Sequence, residues 1–259
     1  AGIGGGSDED ASNIRIEGNA HVAAFSNSGA GIGSGYFSNG NSDITITGNA
    51  TVTAASEVGS GIGQGLNASG KATITISGNA SVKAEALDSA AAIGSEQSSA
   101  TVNIEDNAAV TAVSHGVAIG TSYGHEYNGG TSTVINITGG TVNAVTTRGN
   151  ESNPAIGTVK GNLDLTINSS TGKTTVNACT TSSDPLSLNI GTGHYDSSAH
   201  KYRTSPSEGA EYNEDGSSHL GEDNAAIINF YRNTTLSTDT DTSNAHKTLD
   251  DFGFHRGAS

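Results

Sequence analysis

Tryptophan and methionine are absent, aromatic residues make up 5% of 259, and there is a single cysteine. A chain this poor in large side chains has little with which to fill a conventional layered core. Cys179 has no second cysteine to pair with, which excludes an internal disulfide framework. No apolar run approaches the roughly 18 residues that a membrane-spanning helix needs, so no membrane insertion is expected. Positive charge is also scarce: 11 Lys and Arg stand against 26 Asp and Glu, and the net −15 argues against nucleic acid and anionic membranes as partners. Glycine, by contrast, is abundant. Its 36 residues are about 14% of the chain, against a usual share of about 7%.

The small residues recur in register. A small-residue–Ile–Gly step is followed by two alternating stretches, first as AGIG with IRIEGNAHVAA (14–24) and then as AGIG (30–33) with ITITGNATVTA (44–54). The pattern continues as SGIG (60–63) with ITISGNASVKA (74–84), and AAIG (91–94) with VNIEDNAAVTA (102–112). VAIG (117–120) with INITGGTVNA (135–144), and AIG (155–157) with LTINSSTGKTTVNA (165–178), complete the clear units, and a weaker one begins at LSLNIG (186–191). The marker residues Ile3, Ile32, Ile62, Ile93, Ile119 and Ile156 lie 29, 30, 31, 26 and 37 residues apart. Such a period marks a repeat architecture, and the apolar–polar alternation within ITIT and TVTA marks strands. The expected fold is therefore all-β, a parallel β-helix (β-solenoid) of six to seven coils of about 30 residues, each with three short strands. Crossovers between parallel strands favour the right hand.

Stacking then predicts aliphatic columns inside the tube. Ile14, Ile44, Ile74 and Val102 form one, Ile16, Ile46, Ile76 and Ile104 a second, and Val22, Val52, Val82, Val110 and Val142 a third. The alanine of each GNA corner calls for a small inward residue. Asn19, Asn49, Asn79 and Asn107 recur at that corner, where Asn tolerates positive φ and can bond its counterpart in the next coil, so a structural Asn ladder is expected.

AGIG with its Gly-rich loop, followed by ITITGNATVTA-type strands, resembles the GIGGG repeats of large secreted or wall-anchored proteins of gut Firmicutes. More loosely, it resembles the right-handed β-helix group of pectate-lyase-like and carbohydrate-binding proteins. The resemblance covers about residues 1–179 and implies an architecture rather than an activity. It implies a bacterial protein that is secreted or held at the cell surface.

Three regions are expected: coils over 1–191, a long polar loop or excursion over 192–224, and a last strand with a C-terminal cap over 225–259. AAIINFYR (225–232), Phe252 and Phe254 supply the cap's large side chains. The chain opens inside a repeat without a signal-peptide pattern, so a processed chain or a piece of a longer one is expected.

Glycoside hydrolysis needs two carboxyl groups about 5 to 9 Å apart. Glu17 and Glu105 occupy equivalent points, but Thr47 and Ser77 hold that point in the intervening coils, and the basic residues are scattered. No enzyme is expected; a polysaccharide lyase or hydrolase is the catalytic alternative. Asp8, Glu9 and Asp10 offer consecutive carboxylates of the kind that suits calcium, without an EF-hand loop pattern, so Ca²⁺ is the one cofactor considered. The T-x-T rows of ice binders are interrupted here by Arg15, Glu17, Lys83 and Glu105.

Sugar faces stack on aromatic rings, and here the rings must come from Tyr or Phe. Tyr36 and Phe37 follow one Ile-Gly step, and Tyr123, His125 and Tyr127 follow another three coils on, at the same edge of the expected rod. A second aromatic and basic patch comprises His194, Tyr195, His200, Lys201, Tyr202 and Arg203. The reading is a non-enzymatic, adhesin-like surface protein whose loops recognise an extracellular polysaccharide or glycan. Self-association through solenoid ends, as a filament or stalk subunit, is the structural alternative.

Overall fold

A computed structural model describes residues 1–122, 131–147, 153–159, 162–167, 174–180, 190–196, 201–205 and 226–232. Every regular element among them is a strand, and the strands form three sheets of eight, six and seven members. The Ile-Gly sheet runs through Ile3–Gly4, Ile32–Gly33, Ile62–Gly63, Ile93–Ser95, Ile119–Thr121, Ile156–Thr158 and Ile190–Asp196, and ends with Lys201–Ser205. The second sheet holds Ala11–Ile16, Ser42–Ile46, Ala72–Ile76, Ala100–Ile104, Ser132–Ile137 and Asn162–Ile167. The third holds His21–Ser26, Thr51–Ser56, Ser81–Ala86, Ala109–Ser114, Thr141–Thr146, Thr174–Thr180 and Ala226–Arg232. The chain visits the three sheets in turn and pairs each strand in parallel with its counterpart one unit away, which is a β-solenoid. One pair departs from this: Ile190–Asp196 and Lys201–Ser205 run antiparallel.

The alternation in sequence sets the packing. In Ser42–Ile46 the residues Ser42, Ile44 and Ile46 are buried while Asp43 is exposed, and in Thr51–Ser56 the buried set is Val52, Ala54 and Ser56. Ile44 pairs with Ile74, Ile74 with Val102 and Val102 with Ile135, so one inward column continues from coil to coil. Val52, Val82, Val110 and Val142 do the same in the third sheet. Ile32, Ile62, Ile93, Ile119 and Ile156 meet these columns with no exposed surface. Each buried isoleucine contributes about 1.5–3 kcal/mol of transfer free energy. The alanines Ala50, Ala80 and Ala108 fill the GNA corner, also without exposed surface.

The Ile-Gly step itself is a glycine constraint. Gly33, Gly63, Gly94, Gly120 and Gly157 have φ between 133° and 143°, a region L side chains rarely enter. A Cβ at Gly63 would lie 1.9 Å from the carbonyl oxygen of Gly94 in the next coil, and the same clash recurs along the column. Gly63→Ala therefore costs at least about 3 kcal/mol. Gly18, where φ is 69° and a Cβ would meet nothing within 4 Å, is the matched control, and Gly18→Ala costs about 1 kcal/mol. Ser60 provides the opposite sign: its hydroxyl is fully buried with no hydrogen-bond partner, at a position filled by Ala30 and Ala91 in neighbouring coils. Ser60→Ala stabilises by about 1 kcal/mol. Urea midpoints of the three variants check this order.

Candidate functional site

Two corners of the coil carry polar ladders, and they differ in what they present. At the GNA corner Asn49 Nδ2 donates to Asn19 Oδ1 (3.1 Å), Asn79 Nδ2 to Asn49 Oδ1 (3.1 Å), and Asn107 Nδ2 to Asn79 Oδ1 (3.2 Å). The positive φ falls one residue earlier, on Gly18, Gly48, Gly78 and Asp106, and none of the four asparagines has positive φ. Glycine makes the turn, and the amide is thereby freed to reach along the rod. Asp106 adds a bond of its own, accepting the Gly78 backbone N–H at 3.0 Å. This corner is a lock, closed on itself.

The corner after the Ile-Gly step is built on a buried polar track. From the second coil to the sixth, the residue following Ile-Gly, at Ser34, Gln64, Ser95, Thr121 and Thr158, has no exposed surface. Ser34 Oγ bonds Gln64 Oε1 and accepts from the Gly65 N–H (3.0 Å), Ser95 Oγ lies 2.6 Å from Ser98 Oγ, and Thr133 Oγ1 donates to Thr121 Oγ1 (2.8 Å). Sequence reasoning passed over these residues, although their signal is simple: from the second coil on, a polar side chain follows Ile-Gly, where the first coil has Gly5. Ser34 and Gln64 fasten the base of the turn that carries Tyr36 and Phe37.

The turn is held on both flanks by backbone bonds, from Asp8 N to Tyr36 O (2.7 Å) and from Phe37 N to Leu66 O (3.1 Å). Tyr36 and Phe37 form one aromatic pair, with ring centroids 4.1 Å apart and planes tilted by 58°. Tyr36 is half-buried, whereas Phe37 is 47% exposed. Phe37 also has φ 57°, in the left-handed region, where the neighbouring coils place Asp8 (64°) and Asn67 (57°). Asp and Asn tolerate that conformation, and a bulky aromatic does not. The chain therefore holds an apolar ring in water on a strained backbone.

Tyr123, His125, Tyr127 and His200 lie outside the described residues. His194 and Tyr195 fall on Ile190–Asp196, and Lys201, Tyr202 and Arg203 on Lys201–Ser205; the antiparallel register sets His194 opposite Arg203 and Tyr195 opposite Tyr202. Asp8, Glu9 and Asp10 are exposed, with Asp8 Oδ2 accepting from Ser7 Oγ (3.1 Å) and Asp10 Oδ1 from Ser38 Oγ (3.1 Å). Among the described residues no three His, Cys, Asp or Glu side chains converge as a metal-binding group. Glu17, Thr47, Ser77 and Glu105 follow each other in successive coils, tied by bonds to the preceding coil's Ile16, Ile46 and Ile76 carbonyls. The two carboxylates are thus three strand spacings apart, roughly 14 Å. Cys179 is buried, which pushes its thiol up to about 11, so it is protonated and unreactive at neutral pH.

The fold defines a parallel β-solenoid, and the turn after its second Ile-Gly step carries an exposed aromatic ring. Among the described residues no helix is long and apolar enough to cross a membrane. No protein-family model, curated protein or solved structure matches the chain.

Because Phe37 is strained, replacing it with the residue its neighbour uses relieves the backbone. Phe37→Asn raises stability by about 1 kcal/mol, whereas Asn67→Phe, which installs a ring at the equivalent position, lowers it by a similar amount. Paired urea titrations measure both.

Proposed function

We propose that this chain is a non-enzymatic, adhesin-like extracellular protein whose solenoid presents the Tyr36–Phe37 turn for carbohydrate recognition. The observation that carries the reading is Phe37: an aromatic ring 47% exposed, paired with Tyr36, and kept in a left-handed conformation. The ring lies outside the core: it rests on Tyr36 and leaves about half of its surface in water. Strain of this kind accumulates where a side chain must be presented in one geometry, and an exposed ring with polar neighbours is how proteins meet the apolar face of a sugar. The amide groups nearby, on the exposed Asn39 and the half-buried Asn67, suit sugar hydroxyls. The wide separation of Glu17 from Glu105 supports binding over hydrolysis. The resemblance of the repeats to secreted and wall-anchored GIGGG proteins supports an extracellular setting.

A glycan array carrying neutral, amino and acidic polysaccharides, read with and without Ca²⁺, tests the reading. Saturable binding is expected for the parent chain, reduced at least about ten-fold in Phe37→Asn and in Tyr36→Ala. Phe37→Asn is predicted to be the more stable protein, so its loss of binding has no unfolding explanation. Binding that is unchanged in both variants, or no binding to any glycan, overturns the proposal.

A further inference from the structure

The left-handed position recurs in three stacked turns, occupied in order by Asp8, Phe37 and Asn67. Backbone bonds join the first turn to the second and the second to the third, so neighbouring turns are one strand spacing apart, about 4.8 Å. A carboxylate, an aromatic ring and a carboxamide therefore follow one another along the same edge. Asp8 and Phe37 are exposed and Asn67 is half-buried. Gln97 orients the Asn67 carboxamide by donating from Nε2 to Oδ1 at 3.0 Å, which leaves Nδ2 as its donor. A pyranose stacked on Phe37 has ring substituents over Asp8 on one side and over Asn67 on the other.

Charge then selects among sugars. The segments that make this edge, 5–10, 34–41, 64–71 and 94–99, contain one cation, the exposed Lys71 at the far end of the third. They contain four carboxylates: Asp8, Glu9 and Asp10, all exposed, and the buried Glu96, whose Oε2 accepts the Asn67 backbone N–H at 3.3 Å. A uronate brought to Phe37 meets the like charge of Asp8 in the adjoining turn, while Lys71 stands four residues beyond Asn67. A protonated amine meets Asp8, and it also gains from the negative face of the ring.

We propose that the Tyr36–Phe37 edge takes a polymer of protonated amino sugars, with one sugar seated on Phe37 and its ammonium group directed to the Asp8 carboxylate. This rests on the carbohydrate reading above and assigns its ligand class. Asp8 supplies the preference for positive charge, Phe37 the stacking surface, and Asn67 a donor for a hydroxyl on the far side.

The test is calorimetric titration at physiological salt with three short oligosaccharides of equal length: oligoglucosamine, its N-acetylated form, and oligogalacturonate. Oligoglucosamine is expected to bind, the acetylated oligomer at least about five-fold more weakly, and the galacturonate not at all. Asp8→Asn removes the preference for the free amine and leaves the residual binding of the acetylated oligomer, whereas Phe37→Asn removes both. Asp164→Asn, which changes an exposed carboxylate on the second sheet, leaves every affinity unchanged. Spermidine, a cation without a sugar ring, separates specific seating from attraction to an acidic chain. If spermidine matches oligoglucosamine, or Asp8→Asn leaves the preference intact, the proposal is overturned. If the acetylated or acidic oligomer binds best in a Phe37-dependent way, the ligand class is wrong and the carbohydrate reading stands. If no oligosaccharide binds, both fall.

Discussion

The contact on which the rest of this structure depends is glycine backbone against glycine backbone. At each Ile-Gly step two coils approach so closely that a single added carbon has no room, with a Cβ at Gly94 falling 1.9 Å from Gly120 O. That approach brings one strand of each coil into register, and the aliphatic columns of the other two sheets then coincide. The isoleucines provide most of the favourable free energy, but burial is non-directional. What makes Ile62 stack on Ile93, and not on a neighbour one residue away, is the glycine beside it. The abundance of glycine, which elsewhere would favour the unfolded chain, is here what permits the coil to exist.

Around that contact the three corners divide the work. The GNA corner is locked by amides that bond only to one another, and third-sheet hydroxyls tie successive turns, with Ser56 Oγ reaching Gly29 O and Thr146 Oγ1 reaching Gly116 O. The remaining corner is held from beneath by Ser34, Gln64 and Thr121, and its outward side chains are under no packing demand. A strained aromatic is tolerable there because the buried track and the backbone bonds to both neighbouring coils fix the turn without help from the side chain it carries.

Most of the architecture was legible in the sequence because each coil repeats the same solution. Ile44, Ile74 and Val102 could be assigned to one column from spacing alone, and the inward phase of that alternation extends to Ser42 and Ser56, which are buried despite their polarity. The site was harder to read. Tyr36 and Phe37 were visible as aromatics in a Gly-rich loop, but the sequence does not show that Phe37 shares a left-handed backbone with Asp8 and Asn67, because a φ value leaves no trace in residue type when a bulky residue occupies it. The acidic stretch at Asp8 read as carboxylates suited to calcium; that Asp8 stacks on the aromatic turn of the next coil was not visible in the sequence. Ile190–Gly191, read as the start of a weaker unit, does pair in parallel with Ile156–Gly157, whereas the antiparallel return of Lys201–Ser205 was not anticipated, because the repeat ends there.

The unequal lengths of the corners have a consequence for how such a rod changes over generations. From the second sheet to the third the separation is six residues from Ile46 to Val52, Ile76 to Val82 and Ile104 to Val110, then five from Ile137 to Val142 and nine from Ile167 to Val176. From the Ile-Gly sheet to the second it is nine residues between Ile93 and Val102 but sixteen between Ile119 and Ile135, while pairing stays unbroken on either side. Length changes are therefore absorbed at the corners, with the widest span on the edge after the Ile-Gly sheet, while the paired strands above and below keep their register. Each turn on that edge is an exchangeable cassette, and a lineage can revise what the rod displays while leaving untouched the scaffold that displays it.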